Sequence, residues 1–420
     1  MEEQIDANIA AGMDMERAEK EAVKDMGDPV ETGISLDRIH KPQIAWKLLG
    51  MIVLISAAGL LIHGMIMRQF DGRDLISSNQ YALHVIIGLA VMMALYFLDY
   101  TWLARYSKGI AGLLLAVCIA AAVLGTSVNG RTSYISVGRR LISIQPLMLF
   151  YIPVYGGILY QYRGLGYQGL VKAIIWMILP VILVFRIPSA MTAALMLISM
   201  MVMVTMAIAK GWFAVNKKTA LMGFWGIGMV MPMLSLAVMY FGNGLQACQK
   251  ARIQAWITNS GDANYITGQL RSTWLASQFI GDSGTETAKM LPNFYGDYIL
   301  TYLSSAYGML AAILICCILA VLIISVFSTM LRQKNQLGMV MGVGCGMILL
   351  VSFLVNVLEN LGLLPLTATF LPFISAGGGY IVVCYGLIGI VLSIYRYKNI
   401  YPRTIKIPSS RIQMVIVKDR

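Results

Sequence analysis

An acidic residue, Asp297, stands at the end of a long polar stretch between two apolar segments of the sequence. This stretch covers residues 241–297 and closes with LPNFYGDYIL, where the carboxylate meets the next apolar segment. A carboxylate at a membrane edge is costly and usually has a function. Contact with lipid and with neighbouring aromatic side chains would raise its pKa towards the range of a general base. Capping of the following helix is the alternative role for an aspartate at this position.

Few other side chains offer chemistry. Only nine acidic residues follow position 42, and among the seven that remain once Asp99 and Asp419 are assigned to the cytoplasmic side, Asp297 and Glu359 alone adjoin long apolar segments. The sequence contains no Gly-rich phosphate loop, no Ser-His-Asp set and no run of metal ligands. The available chemistry is therefore that of a single carboxylate, and a divalent cation could assist it.

The composition indicates that membrane-spanning elements position this group. Of all residues, 58% are hydrophobic and 12% are charged, and the mean hydropathy is +0.73, whereas charged residues make up about a quarter of a soluble domain. Apolar segments of roughly the 20 residues that cross a bilayer follow one another. The sequence predicts an all-α polytopic membrane protein with about ten transmembrane helices, near 43–67, 81–99, 108–126, 145–162, 172–187, 191–209, 219–241, 297–327, 337–358 and 374–395.

The distribution of charge predicts the orientation of these helices. Eleven of the twenty acidic residues lie in a polar prefix, residues 1–42, and basic residues gather in alternate loops and in the tail, residues 401–420. The positive-inside rule places the prefix, these loops and the tail in the cytoplasm, and the loop 242–296 outside. The net charge of +12 indicates contact with anionic membrane lipids and no nucleic-acid partner, because the basic residues do not follow one soluble face.

One outer loop departs from this charge pattern. Residues 129–144 carry Arg139 and Arg140 on the predicted outer side, and Arg252 lies in the large outer loop. One guanidinium group can donate two hydrogen bonds to two phosphate oxygens at once. These three residues are therefore candidates for holding a diphosphate at the membrane surface. Arginines that snorkel to lipid headgroups are the alternative, and the loop alone does not decide between the two.

The segment NVLENLGLLPLTATFLPFISAGGGY, residues 356–380, resembles the closing signature of the SEDS proteins, the FtsW, RodA and SpoVE group. Ser375, Gly377 and Gly378 fall at the spacing of that signature. The run LPNFYGDYILTYLSSAYG resembles a second motif of the family, in which Asp297 takes the place of an essential aspartate. The resemblance covers roughly residues 43–400, and the prefix resembles the helical HAAS-type segment that precedes many bacterial permeases.

This resemblance implies a peptidoglycan glycosyltransferase that polymerises lipid II at the outer face of the cytoplasmic membrane, in division, elongation or sporulation. Such an enzyme is an inverting transferase with a polyprenyl-diphosphate-linked donor. Its usual partner is a class B penicillin-binding protein that acts as transpeptidase. Tyr134 and Gln145 are implied substrate-binding residues, because they lie in segments similar to the family's NGA-RRWI and QPSE motifs.

Several positions depart from the family pattern. Leu147, Met148 and Tyr151 stand where serine, glutamate and lysine are expected after Gln145, and Asn293 replaces a further glutamate. These changes favour an alternative function, a catalytically weak relative that binds lipid-linked precursor or scaffolds a cell-wall synthesis complex. A transporter is a third hypothesis, which ranks last because no predicted span carries a charge near its middle or forms a broken-helix pair.

Overall fold

The computed structural model describes residues 2–25, 30, 33–34, 42–69, 78–128, 131–137, 140–187, 189–242, 250, 253–254, 258, 265–283 and 291–405. Two of the candidate arginines, Arg139 and Arg252, lie outside these residues, as does the end of the basic tail. The side chains of 136–141 are also outside the description, so Arg140 is placed by its backbone only.

The polar prefix contains two helices that pack against each other, α1 (Glu2–Ala10) and α2 (Met15–Asp25). Ala18 and Ala22 of α2 are fully buried, and Asn8 Nδ2 donates a hydrogen bond to the carbonyl oxygen of Ala18 at 3.3 Å. The charged side chains between positions 16 and 24 are exposed. The prefix is thus a small helical hairpin with a charged surface.

Nine helices in the described part of the chain are long and apolar enough to span a membrane. They confirm the predicted all-α polytopic architecture. A short helix, α5 (Tyr100–Arg105), lies between the second and the third. The nine are α3 (Trp46–Gln69), α4 (Ser78–Phe97), α6 (Ser107–Leu124), α9 (Gly166–Arg186), α10 (Ala190–Ala209), α11 (Lys217–Phe241), α14 (Met309–Leu331), α15 (Gln336–Asn360) and α16 (Gly378–Arg396).

The predicted span at 145–162 takes a different form. It consists of α7 (Gln145–Met148) and α8 (Tyr151–Gln161), joined by Leu149 and Phe150, whose φ and ψ are also those of a right-handed helix. The residues of α8 from Tyr151 to Tyr160 are all buried. Gly157 permits this close packing, because a Cβ at that position would lie 2.7 Å from Ala104 Cα. The helix is therefore surrounded by protein, a distinction from a lipid-facing span that apolarity alone does not make.

The predicted eighth span, 297–327, is interrupted at Gly308. Helix α13 (Ile299–Tyr307) ends there and α14 begins at the next residue, because Gly308 has a φ of +96°, which glycine tolerates and other residues rarely adopt. A segment of the long polar stretch, residues 278–283, runs beside the break. It accepts the N–H groups of Met309 at 2.9 Å and Leu310 at 3.1 Å, which a helix start leaves without intrahelical partners.

The same segment, residues 278–283, also donates backbone hydrogen bonds to α13. Gly281 N–H bonds the carbonyl of Tyr307 at 3.3 Å, and Ser283 N–H bonds the carbonyl of Ser305 at 3.0 Å. The segment follows helix α12 (Tyr265–Ala276) of the large outer loop. This loop is therefore connected to both halves of the interrupted span through backbone hydrogen bonds.

A small antiparallel sheet precedes α7, and the sequence analysis did not predict it. Its strands are β1 (Thr126–Val128), β2 (Arg131–Val137) and β3 (Arg140–Ser143), in the order β1-β2-β3. Tyr134 in the middle strand is opposite both Thr126 and Ser143. Strand β3 begins at the candidate Arg140 and ends at Ser143, and α7 begins two residues later, at Gln145.

The chain after α16 crosses the face on which the prefix enters. We call residues 397–405 the C-terminal strap. The Tyr160 hydroxyl of α8 donates to the Ile405 carbonyl at 3.0 Å and accepts the Ile405 N–H at 2.8 Å. Asn335, which caps α15, donates to the Pro402 carbonyl at 2.7 Å, and Tyr401 donates to Asp99, which caps α5. The strap thereby connects the ends of three helices.

Candidate active site

Asp297 lies in a turn immediately before α13, and its side chain is half-buried. Asn293 Nδ2 donates to Asp297 Oδ2 at 2.8 Å. Tyr298, and not Asp297, occupies the N-cap position of α13, and it makes no side-chain capping hydrogen bond. The Asp297 carboxylate is held by the Asn293 amide, and the residue stays partly accessible.

The main-chain carbonyl of Asp297 is fixed to α15. Asn356 Nδ2 and Asn360 Nδ2 each donate to this oxygen at 2.9 Å. Both asparagines are fully buried and lie one turn apart on the same helix face. Asn360 Oδ1 in turn accepts from Thr301 N–H at 3.1 Å and from Thr301 Oγ1 at 2.9 Å. Two buried donors on one carbonyl hold the peptide group of Asp297 in one orientation.

The turn between α15 and α16 is attached to the residue before Asp297. Ser375 Oγ donates to the Gly296 carbonyl at 2.9 Å and accepts the Leu371 N–H at 2.7 Å. Gly296 has no room for a side chain, since a Cβ there would lie 2.5 Å from Asn293 Oδ1. Two residues chosen from the sequence, Ser375 and Asp297, therefore belong to one hydrogen-bonded unit.

The glycines after Ser375 connect this unit to α7. Gly377 is the N-cap of α16 and Gly378 its first residue. A Cβ at Gly378 would lie 2.5 Å from the His84 ring, so only glycine fits without movement of that ring. One turn on, the Tyr380 hydroxyl donates to Gln145 Oε1 at 3.3 Å. The structure thus brings Gln145 next to the glycine turn.

The family model of cell cycle proteins of the FtsW, RodA and SpoVE type matches residues 41–400 of this chain. The chain belongs to this family. The match includes every membrane-spanning helix described above and the turn that carries Ser375. It confirms the resemblance to the SEDS proteins drawn from the sequence.

Individual FtsW proteins share part or nearly all of the chain. A relative from Mesostigma viride is 27% identical over 282 residues, which are 64% of each chain, so the match spans a little less than two thirds of that protein. A second relative, named a probable peptidoglycan glycosyltransferase FtsW, comes from Aliivibrio salmonicida. It is 21% identical over 399 residues, 91% of this chain and 96% of its own.

Solved structures share the fold. A chain of a peptidoglycan synthase complex superimposes with a TM-score of 0.69 and 17% sequence identity, over 84% of this chain and 98% of that chain. RodA of Thermus thermophilus gives a TM-score of 0.59 with 16% identity, over 85% of this chain and 98% of RodA. The architecture described above is therefore the SEDS fold.

The SEDS residues predicted from sequence fall into two groups. Asp297, Ser375, Gly377, Gly378 and Gln145 are linked by the contacts given above. Tyr134 is half-buried in β2 and Arg140 is in β3, so the sheet and not the hydrogen-bonded unit carries them. For the divalent cation, no cluster of three His, Cys, Asp or Glu side chains within the described residues could hold a metal ion, and no step below depends on one.

Two functional candidates were missed by sequence reasoning, Asn360 and Thr301. The spacing of Asn356 and Asn360 in an apolar helix was the available signal, because two amides four residues apart share a face. Buried amides need partners in a membrane span, and the exposed carbonyl of a turn is a natural one. Thr301 gave no such signal, because an isolated threonine near a helix start is common.

Glu359, the other carboxylate next to an apolar segment, has a structural role in this family member. It is fully buried at the end of α15. Its carboxylate accepts the N–H groups of Thr367 at 2.7 Å, Ala368 at 2.8 Å and Thr369 at 3.2 Å, and the Thr367 hydroxyl at 3.0 Å. Ala368 has a φ of +56°, a strained conformation for a residue with a Cβ. The carboxylate therefore stabilises a strained turn on the path to Ser375.

Glu359→Gln is expected to destabilise the protein. Four donors converge on the two oxygens of the Glu359 carboxylate, and glutamine replaces one of these oxygens by an NH₂ group. At least one buried N–H therefore loses its acceptor, at a cost of about 1–3 kcal/mol. The thermal midpoint of the purified protein in detergent should fall by several degrees. Thr367→Val removes only one of the four hydrogen bonds and should lower the midpoint less. Equal midpoints for Glu359→Gln and wild type would contradict this role.

Proposed function

We propose that the protein polymerises lipid II into glycan strands at the outer face of the cytoplasmic membrane. The observation that carries this proposal is the attachment of Asp297: two buried asparagines hold its carbonyl, and Asn293 holds its partly accessible carboxylate. Membership of the FtsW, RodA and SpoVE family supports it, as does the name of the relative from Aliivibrio salmonicida.

In this mechanism, Asp297 accepts the proton of the acceptor sugar hydroxyl. The hydroxyl oxygen attacks the anomeric carbon of the donor from the opposite face, the bond from that carbon to the diphosphate oxygen breaks, and the configuration inverts. Polyprenyl diphosphate leaves with the bonding electrons. Arg139, Arg140 or Arg252 would stabilise the negative charge that grows on the leaving group. We place the two lipid-linked substrates beside Gln145 and the glycine turn.

The orientation and partner are part of the same proposal. The strap begins on the face where the chain enters the membrane domain after the prefix, because Gln43 N–H bonds the Arg396 carbonyl at 3.2 Å, and we assign this face to the cytoplasm. Asp297 then faces the outside, where lipid II is polymerised. A class B penicillin-binding protein is the proposed transpeptidase partner. The matched chain from a complex that coordinates polymerisation and crosslinking supports this pairing.

The test is polymerisation by the purified full-length protein in lipid nanodiscs, with and without such a partner. Fluorescent lipid II is supplied and the glycan product is resolved by gel electrophoresis. We expect ladders of polymer that a glycan hydrolase removes. If a known SEDS polymerase makes polymer in parallel and this protein makes none, the proposal is wrong.

One observation favours the second candidate function, a precursor-binding scaffold. Met148 and Tyr151, which stand at positions where the family pattern has charged residues, are buried, and the Tyr151 hydroxyl donates to the Trp176 carbonyl at 2.7 Å. These two side chains are committed to packing and offer no charge to a substrate. A scaffold would bind lipid II with measurable affinity and form no polymer in the same assay.

A further inference from the structure

The membrane domain presents a group of cations beside the C-terminal strap, and we call it the basic patch. Its members are Arg105, Lys108, Arg163, Lys398 and Arg403. The structure brings them to one face. Tyr160 bonds Ile405 of the strap, Tyr401 of the strap bonds Asp99 at the start of α5, and the Gln336 N–H bonds the Arg403 carbonyl at 3.1 Å.

Four side chains of the basic patch, those of Arg105, Lys108, Arg163 and Lys398, have aromatic neighbours, and none of the five forms a salt bridge within the described residues. Lys108 Nζ lies 4.6 Å from the centroid of the Tyr162 ring, and Arg163 Cζ lies 5.8 Å from that of Tyr160. Lys398 Nζ lies 4.0 Å from the Tyr395 centroid. Asp99 is the acid nearest in sequence, and Tyr401 and Thr101 already bond it.

The prefix has the opposite charge. Residues 2–25 contain eight acidic and three basic residues, and two of the basic ones, Lys20 and Lys24, pair with Glu16 and Glu21 on the same helix. Glu19 is exposed on α2. Apolar side chains of this hairpin are exposed too, with Met15 at 62% and Val23 at 54%. The hairpin therefore offers both charge and apolar area to a basic partner.

The chain itself brings the two surfaces together. The prefix joins the membrane domain where Gln43 bonds Arg396, two residues before Lys398 of the patch. Seventeen residues separate α2 from Gln43, enough for the hairpin to reach the patch. Because the hairpin and the patch belong to one chain, their contact is intramolecular and does not depend on protein concentration.

We infer that the hairpin Glu2–Asp25 docks on the basic patch of its own chain. Docking covers cations that would otherwise attract anionic lipid headgroups, so the hairpin and the membrane surface compete for the same residues. The contact is reversible because it rests on exposed charges, whose attraction is screened over about 8 Å at physiological salt and about 3 Å at 1 M. When docked, the hairpin thus covers this face of the protein, and the docked fraction depends on salt and on lipid charge.

Hydrogen exchange of residues 2–25, followed by mass spectrometry, tests the inference on the full-length protein. The protein is placed one copy per nanodisc in phosphatidylcholine. We expect exchange about tenfold slower at 0.15 M than at 1 M salt, since docking suppresses local opening of the helices. Phosphatidylglycerol in the nanodisc should speed the exchange at 0.15 M by competition.

Two charge-reversed variants locate the contact. Arg163→Glu/Lys398→Glu/Arg403→Glu should show at 0.15 M the fast exchange that wild type shows at 1 M. The control, Lys210→Glu/Lys217→Glu/Lys218→Glu, reverses three exposed cations at the α10–α11 connection and should exchange like wild type. Gel filtration and the thermal midpoint verify that both variants fold.

Three results would overturn the inference. Exchange that is independent of salt and equal in all three proteins means that the hairpin is undocked. Equal release by the control variant means that the contact is not at the patch. Slow exchange that appears only with two copies per nanodisc means that the hairpin docks on a second chain.

Discussion

Replacing Asp297 by asparagine is expected to lower kcat for lipid II polymerisation roughly 10²–10⁴-fold, the range typical of a lost general base. Asparagine has the same shape and can still accept the hydrogen bond from Asn293 Nδ2. It cannot accept the proton of the acceptor hydroxyl at neutral pH. Single-turnover polymerisation, with lipid II binding measured separately, should show the loss in the chemical step and unchanged binding.

The control for this experiment is Glu19→Gln. Glu19 is an exposed carboxylate of α2, and its loss should leave the rate of polymerisation close to that of wild type. If Asp297→Asn polymerises as fast as wild type, another group accepts the proton and the assignment fails, even though the protein is a polymerase. If wild type itself is inactive, the proposed function fails and the assignment is moot.

Asn360→Ala is expected to lower kcat about 10²-fold with little change in KM. Asn360 is fully buried, so it acts on substrate only through Asp297. Its loss removes one of the two donors to the Asp297 carbonyl and the side-chain acceptor of the Thr301 N–H, and a displacement of about 1 Å at a reacting group can cost about 10²-fold. Asn360→Asp keeps an acceptor for Thr301 but loses the donor to Asp297, and it should be similarly slow.

Ser352→Ala provides the control for a purely structural effect. Ser352 is also fully buried on α15, and its hydroxyl bonds only the carbonyls of its own helix, of Ile348 at 2.7 Å and Leu349 at 3.2 Å. Its loss should leave kcat unchanged. A positioning role for Asn360 is refuted if kcat of Asn360→Ala falls no further than that of Ser352→Ala.

The membrane architecture could be predicted from the sequence because hydropathy reports length and apolarity directly. The interruptions of the individual spans could not be predicted in this way. The break at Gly308 depends on a positive φ, and the buried character of α8 depends on the close approach of Ala104 to Gly157, neither of which apolar periodicity encodes. The sheet β1–β3 lies in a short polar loop, where strand patterns are weak.

The candidate site could be predicted only in part, for a similar reason. Asp297 was identifiable because an isolated carboxylate at an apolar boundary is rare, and Ser375 and Gln145 were identifiable through the family signature. The Asn360 side chain donates to a main-chain carbonyl, and every residue type has such a carbonyl. The sequence therefore contains no complementary side chain that would reveal the contact. Glu359 was visible as a carboxylate beside an apolar run, but its three N–H partners became apparent only with the turn that contains Ala368.

The segment 278–283 bridges the interruption at Gly308. It is bonded to α13 on one side of the gap and to α14 on the other, so a displacement of this segment would shift α13 relative to α14. The peptide group of Asp297, which lies immediately before α13, would move with it. A molecule that binds residues 278–283 is therefore expected to change the position of the proposed general base.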